Sequence, residues 1–249
     1  MLQVEKLHKV YGQNMQYEAL KGLDLTVRDG EFVGIMGPSG SGKSTFLNLI
    51  ATIDQPTSGK ILLNGKNPNE LDQEKIAQFR RTQLGFVFQA FNLLPTLTVE
   101  ENIVLPLTLD GEKVAVMKKK VRDIAPRLGI EGLLNKRIAE ISGGQAQRVA
   151  VARAMVHQPE LLLADEPTGN LDTKSSKDVM GLLRQLNEEE QATILLVTHD
   201  PLAASYCQRI VFIKDGELVH DVRRQGTQKE FYEEILVDLA RIEGVDNEF

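Results

Sequence analysis

Phe32-Val33-Gly34-Ile35-Met36, then Gly37-Pro38-Ser39-Gly40-Ser41-Gly42-Lys43-Ser44-Thr45, then Phe46-Leu47-Asn48-Leu49-Ile50, is the stretch on which the fold turns. An apolar run of strand length leads into a glycine-rich loop, and a helix-like run starting at Thr45 leads out of it. This is the context in which G-x-x-x-x-G-K-[ST] works as a phosphate-binding loop. Glycines let successive backbone N–H groups point at one anion, and the following helix adds its positive end to the same place. Lys43 is placed for the β- and γ-phosphates, and Ser44 for a Mg²⁺ ion. The stretch predicts a site for a nucleoside triphosphate with Mg²⁺.

Upstream, 2–7 and 19–27 alternate apolar and polar residues as half-buried strands do, with a turn at 28–31. Tyr11, between these strands, reads locally as a core aromatic or as a flat surface for a base, with core preferred. Downstream, 56–59 reads as a turn, 60–65 as a short strand, 72–81 as a polar helix and 84–88 as a strand ending at Gln89. Between about 90 and 158 the β-branched alternation fades, which predicts a mostly helical insertion. In it, Lys118-Lys119-Lys120 reads as a solvated helix face.

Two fully apolar strands follow, 160–164 ending in Asp165-Glu166 and 193–197 ending in Thr198-His199-Asp200. Such strands belong to parallel sheets covered on both faces, where ligands sit at the carboxyl ends. A hairpin is predicted at 210–220 around Asp215-Gly216. Phe231, Ile235, Leu239 and Ile242 then recur at helical spacing, a stripe suited to packing on its own domain or on a second copy.

Of 249 residues, 42% are hydrophobic and 26% charged, as in an ordinary globular protein. No apolar run nears the roughly 20 residues needed to span a bilayer, and no signal peptide is evident. One cysteine, Cys207, cannot form an internal disulfide, which fits a reducing compartment. The net charge of −6 argues against a nucleic-acid partner.

The chemistry lies in a few constellations. Asp165 ends a strand where its carboxylate can hold Mg²⁺, and Glu166 beside it can polarise an attacking water. Ser142 reads as the N-cap of a helix opened by Gly143, Gly144 and Gln145, a second helix start able to meet an anion but lacking a lysine. That second start makes sense if it completes the nucleotide site of another copy.

Taken together, these motifs resemble the ATP-binding subunits of ATP-binding-cassette (ABC) transporters over about the first 220 residues. The most specific element is Ser142-Gly143-Gly144-Gln145 shortly before Asp165-Glu166. The resemblance implies an α/β fold of the P-loop NTPase, ABC ATPase kind. It would have a mainly parallel core sheet, an antiparallel β subdomain and a helical subdomain at about 90–158, with 1–226 as the ATPase domain and 227–249 as a helical tail. It implies that Tyr11 stacks on adenine, reversing the local preference. Gly37, Pro38, Ser39, Gly40, Ser41, Gly42, Lys43, Ser44 and Thr45 would hold the phosphates. Ser44, Gln89 and Asp165 would serve Mg²⁺, with Gln89 also linking to the membrane partner. Glu166 would be the base and His199 the residue at the γ-phosphate. Ser142, Gly143, Gly144, Gln145 and Asp172 would reach the ATP of a second, head-to-tail copy. The departures are Ile141 where Leu is usual and Ala146 where Gln is common, neither at a catalytic position.

Within that family, 165–172 is similar to the subgroup that serves lipoprotein release, macrolide efflux, division and antimicrobial-peptide resistance, and 85–110 and the long tail are similar to its bacitracin-type peptide-resistance group. This resemblance implies a large integral membrane permease as partner, a cytoplasmic position for this chain on the inner face of the cell membrane through that permease, a sensor histidine kinase reached through it, and protection against peptides that bind cell-wall lipids. Lipoprotein-release, macrolide-efflux and division-associated ATPases share most of these motifs and stand as the alternative. A soluble ABC clamp protein is disfavoured by the single cassette, the lack of a heptad run and the negative charge.

Overall fold

The computed structural model describes residues 1–12 and 15–244. A three-stranded antiparallel sheet has the order β2 (Tyr17–Val27), β1 (Leu2–Tyr11), β4 (Ser58–Leu63). A six-stranded sheet has the order β5 (Leu84–Phe88), β6 (Leu161–Asp165), β7 (Ile194–Val197), β3 (Phe32–Met36), β8 (Arg209–Lys214), β9 (Glu217–Arg223). Its first five strands are parallel, and β9 returns antiparallel to β8.

Both faces of this sheet are covered, which is why its strands are apolar throughout. Phe32, Leu162, Ala164, Ile194, Leu196, Ile210 and Phe212 point into one buried cluster. Helices α3 (Val99–Leu109), α4 (Val114–Arg127), α5 (Gly143–Met155), α6 (Thr173–Glu190) and α8 (Gln228–Glu243) supply its other side. Alternate residues, Val33, Ile35, Leu161, Leu163, Leu195, Val197 and Val211, point the opposite way. There they meet α1 (Lys43–Ile50) and the antiparallel sheet. The remaining α-helices among the described residues are α2 (Gln73–Gln83) and the single turn α7 (Pro201–Ala204).

Helix starts follow local chemistry. Asp72 caps α2 by accepting from the Lys75 N–H, and reciprocal capping boxes join Thr98 to Glu101, Ser142 to Gln145 and Thr227 to Glu230. Asp172 caps α6 by accepting from the N–H groups of Lys174 and Ser175.

Two expectations are corrected. Ser58 and Gly59 belong to β4 and not to a turn. Gly59, at φ +91, sits opposite a register shift in β1. A Cβ there would lie 2.3 Å from the Lys6 carbonyl oxygen, so the glycine reports close strand approach. Tyr11, locally read as core, is 39% exposed, and its hydroxyl donates to Asp54 Oδ2 at 2.7 Å. The tail stripe packs on its own domain: Phe231 and Ile235 are fully buried, and Leu239 and Ile242 lie against the same core. Residues 245–249 of the expected tail lie outside the described residues.

Candidate active site

Strand register brings the candidate residues to one edge. In the parallel pairing Phe88 lies beside Asp165, Asp165 beside Val197 and Val197 beside Ile35. The residues that leave these strands, Gln89, Glu166, Thr198 and Gly37, therefore emerge at the carboxyl edge of the sheet, where ligands of such folds bind. The ladder continues one step further, with the Glu166 N–H donating to the Val197 carbonyl and the Thr198 N–H to that of Ile35.

The phosphate loop bends as its glycines allow. Gly37 has φ +144, and a Cβ on it would lie 1.9 Å from the Ile213 carbonyl oxygen, so no larger residue fits. Lys43 folds back across the loop and donates from Nζ to the carbonyls of Gly37 (2.8 Å) and Pro38 (2.9 Å). Burial lowers its affinity for the proton, and the carboxylates of Glu166 and Asp165 work against that shift. Tyr17, opposite Tyr11 in the β1–β2 pairing, donates from its hydroxyl to the Gly40 carbonyl at 3.2 Å.

A cleft of about 520 Å³ lies over the loop. Pro38, Lys43, Ser44, Glu166 and His199 line it, joined by Leu239 and Glu243 of α8. Glu166 takes a left-handed backbone, φ +46, immediately after β6. Such a conformation in a residue with a side chain is held by its surroundings and clusters at working sites. Here it turns the carboxylate toward Thr198, whose Oγ1 donates to Oε2 at 3.2 Å, and toward His199 Nδ1, 2.7 Å from Oε1.

Asp165 carries the chemistry of a Mg²⁺ ligand. Its carboxyl is pushed above the usual aspartate range by burial and then by the charge of Glu166, with Lys43 partly opposing. A divalent cation would relieve both effects. Among the described residues there is no cluster of three or more His, Cys, Asp or Glu side chains arranged to hold a metal. Magnesium needs none: a hydroxyl such as that of Ser44, one carboxylate and the substrate's phosphates make its usual shell. The donor set fits the ion.

Other predicted residues stand away from the cleft lining. The Gln89 side chain lies against Gly169, where a Cβ would come 2.5 Å from its Nε2. The main-chain carbonyl of Gln89 accepts from Asn170 Nδ2 at 3.0 Å. Asp172 is engaged in its cap and also accepts from Ser175 Oγ at 2.6 Å. Ser142, Gly143, Gly144 and Gln145 form the exposed or half-exposed start of α5 and do not line this cleft.

Several residues at the site carried no sequence signal. Gln147 of α5 is fully buried and donates from Nε2 to the carbonyls of Pro167 (2.8 Å) and Phe88 (3.3 Å). Arg153, further along α5, donates to the carbonyls of Phe91 and Asn92. Both of those residues have positive φ, +60 and +50. The helix begun by Ser142 is thus tied to the segments after Phe88 and after Glu166. Beside these ties an apolar groove is lined by Phe86, Phe88, Leu105, Pro106 and Leu109, with Arg80 and Arg81 at its edge.

A family model described as "ABC transporter" matches residues 20–169. The chain is 56% identical, over its full length and 96% of the relative's, to the ABC transporter ATP-binding protein YxdL of Bacillus subtilis. It is 46% identical, over its full length and 99% of the relative's, to the bacitracin export ATP-binding protein BceA of Halalkalibacterium halodurans. A solved structure described as a dimeric post-hydrolysis state of the ATP-binding cassette MJ0796, bound to ADP and Pi, superposes with a TM-score of 0.82. It is 40% identical and covers 91% of this chain and all of that one.

Proposed function

The chain belongs to the ABC transporter family as an ATP-binding subunit and is an ATPase, and from that premise we propose that two copies, closing head-to-tail over two ATP molecules, drive a membrane permease that protects the cell from cell-wall-directed peptides. The observation that carries the enzymatic part is the Glu166–His199 contact at the mouth of the Lys43 cleft. Glu166 would accept the proton of the water that attacks the γ-phosphorus, and His199 would orient that carboxylate. Lys43 would leave the Gly37 and Pro38 carbonyls for the phosphate oxygens, exchanging neutral acceptors for charged ones. Ser44 and Asp165 would hold Mg²⁺, which neutralises phosphate charge when bound. Tyr11, exposed, offers a ring face to adenine. Ser142, Gly144 and the positive start of α5 would meet the ATP of the second copy.

The apolar groove between Phe86 and Leu109 would receive the permease. No helix among the described residues is long and apolar enough to cross a membrane. A separate membrane partner at the cytoplasmic face is what an ATPase of this family would need. A sensor kinase would be reached only through that permease. Support for the peptide-resistance step comes from the full-length similarity to a bacitracin export protein. The deciding experiment is purification of the Glu166→Gln chain from native membranes with ATP and Mg²⁺. Recovery of one large permease, with peptide hypersensitivity on its deletion, would support the whole proposal. A small permease with four spans would point to lipoprotein release or division instead.

A further inference from the structure

Two side chains on the nucleotide cleft come from α8, beyond the residues 20–169 that the family model matches. Leu239 and Glu243 are one helical turn apart and lie on the same face, both on the cleft lined by the phosphate loop. The helix is held there firmly. Phe231 and Ile235 are fully buried beneath it, and Asp238, 6% exposed, accepts from His220 Nε2 at 3.2 Å. Lys214 Nζ donates to the Ile242 carbonyl in the last turn, which closes in a left-handed Gly244 at φ +81.

Charge makes this placement informative. The loop and the start of α1 present N–H groups and Lys43 to a polyanion. The end of α8 presents the opposite: the negative end of a helix dipole, offset in part by Lys214 on the Ile242 carbonyl, and the exposed Glu243 carboxylate. Leu239 adds apolar bulk beside the loop. Both features oppose a triphosphate and the approach of another chain to the same rim.

We propose that the C-terminal turn of α8 is an autoinhibitory strap, in which Leu239 and Glu243 hold the ATP affinity of the cleft, and its closure by a second copy, below what the phosphate loop alone would give. The inference rests on the proposed binding of ATP and closure of two copies at this cleft. The tail thereby gains a regulatory role. Movement of the last turn away from the loop raises nucleotide affinity, and docking of that turn lowers it.

The test uses the full chain with Glu166→Gln as parent, so that hydrolysis does not intervene. A fluorescent ATP analogue is titrated into the parent, into Glu243→Gln and into Leu239→Ala/Glu243→Gln, at low and high salt, and ATP-driven dimerisation is followed by light scattering. Glu243→Gln should bind about three- to tenfold more tightly at low salt, with the gain shrinking at high salt, as expected for one like charge removed from a partly solvated site. The double variant should also dimerise at lower ATP. Glu234→Gln, exposed on the opposite side of α8, should leave affinity unchanged. Because Glu243 is exposed, its amide variant tests the strap without disturbing the core. Unchanged or weaker binding by Glu243→Gln, while Lys43→Ala still loses the analogue, would overturn the strap and leave the ATP site standing. Equal binding by Lys43→Ala and the parent would remove the ATP reading and the strap with it.

Discussion

His199 Nδ1 lies 2.7 Å from Glu166 Oε1, and the two side chains differ sharply in exposure, 71% for the histidine and 17% for the glutamate. With Glu166 ionised its carboxylate can only accept, so this contact calls for the proton on Nδ1. The partly buried member is therefore positioned by the exposed one, and Thr198 Oγ1 holds its second oxygen. Glu166 needs both contacts, because its backbone at φ +46 is not a conformation that a glutamate adopts freely.

If Glu166 is the base and His199 its positioning partner, their substitutions should not add. Glu166→Gln should keep ATP affinity and lower turnover by about 10²–10⁴-fold, the range for loss of a general base. His199→Ala should lower it by a similar amount, and the double variant by little more than the worse single one, as for residues acting as a unit. Steady-state phosphate release beside equilibrium nucleotide binding measures both. Strictly multiplicative losses would mean that the contact does not serve the chemistry.

Asp165 supplies a pH dependence whose sign follows from its raised pKa. With the folded value above the unfolded one, the folded state holds the proton more readily within that window. Stability then falls as pH rises from the ordinary aspartate range through the raised value, and the full cost is present at neutral pH. Without nucleotide or Mg²⁺, Asp165→Asn should therefore melt at a higher temperature than the parent at pH 7–8, and the difference should close toward acid pH. The same variant should lose ATP turnover. Melting curves across pH in chelator check the first part, and a variant less stable at pH 8 would contradict it.

The parts of this protein legible in its sequence are those whose signals are local. The apolar run before Gly37, the Ser142 N-cap and the Phe231/Ile235 stripe each declare themselves within a few residues, because caps and helical faces are short-range physics. Arg153 and Gln147 were silent: each grips backbone carbonyls some 20 to 60 positions away, and a carbonyl has no sequence. The ion pairs of Glu31 with Arg209 and Arg223 were silent too, since the fold brings Glu31 against a hairpin nearly 200 positions away in the chain. Leu239 looked like one more core position, and only the placement of α8 puts it on the nucleotide cleft.

Arg153 gives the test of coupling. Its guanidinium pins Phe91 and Asn92 in left-handed conformations, beside the groove where the permease would sit. Arg153→Ala should lose about 1–3 kcal/mol of stability through the hydrogen bonds its charged guanidinium no longer makes to the Phe91 and Asn92 carbonyls. It should also keep basal hydrolysis in the isolated chain while losing stimulation by the permease. Leu109→Glu, at a site 65% exposed on the same groove, should fold normally and fail to co-purify with the permease. Normal stimulation in both variants would place the permease elsewhere.

The assignment of Ser142 and Gly144 to the ATP of a second copy is tested by mixing two dead chains. In the single chain the start of α5 lies outside the cleft lined by Lys43, so under this assignment Ser142 would reach the phosphates only across an interface. Ser142→Asp keeps the N-cap, since aspartate caps as well as serine, but brings a carboxylate against the phosphates. Lys43→Ala removes the lysine from the loop. Each variant alone should be inactive, because both sites of its dimer carry the lesion. In a mixed dimer one site collects both lesions and the other has none. Equal mixing puts half of the dimers in that state, so activity should return to about a quarter of the parent's if the two sites turn over independently in a two-fold dimer. Copies that worked alone, with Lys43 and Ser142 serving the same ATP in one chain, would give no recovery at any ratio.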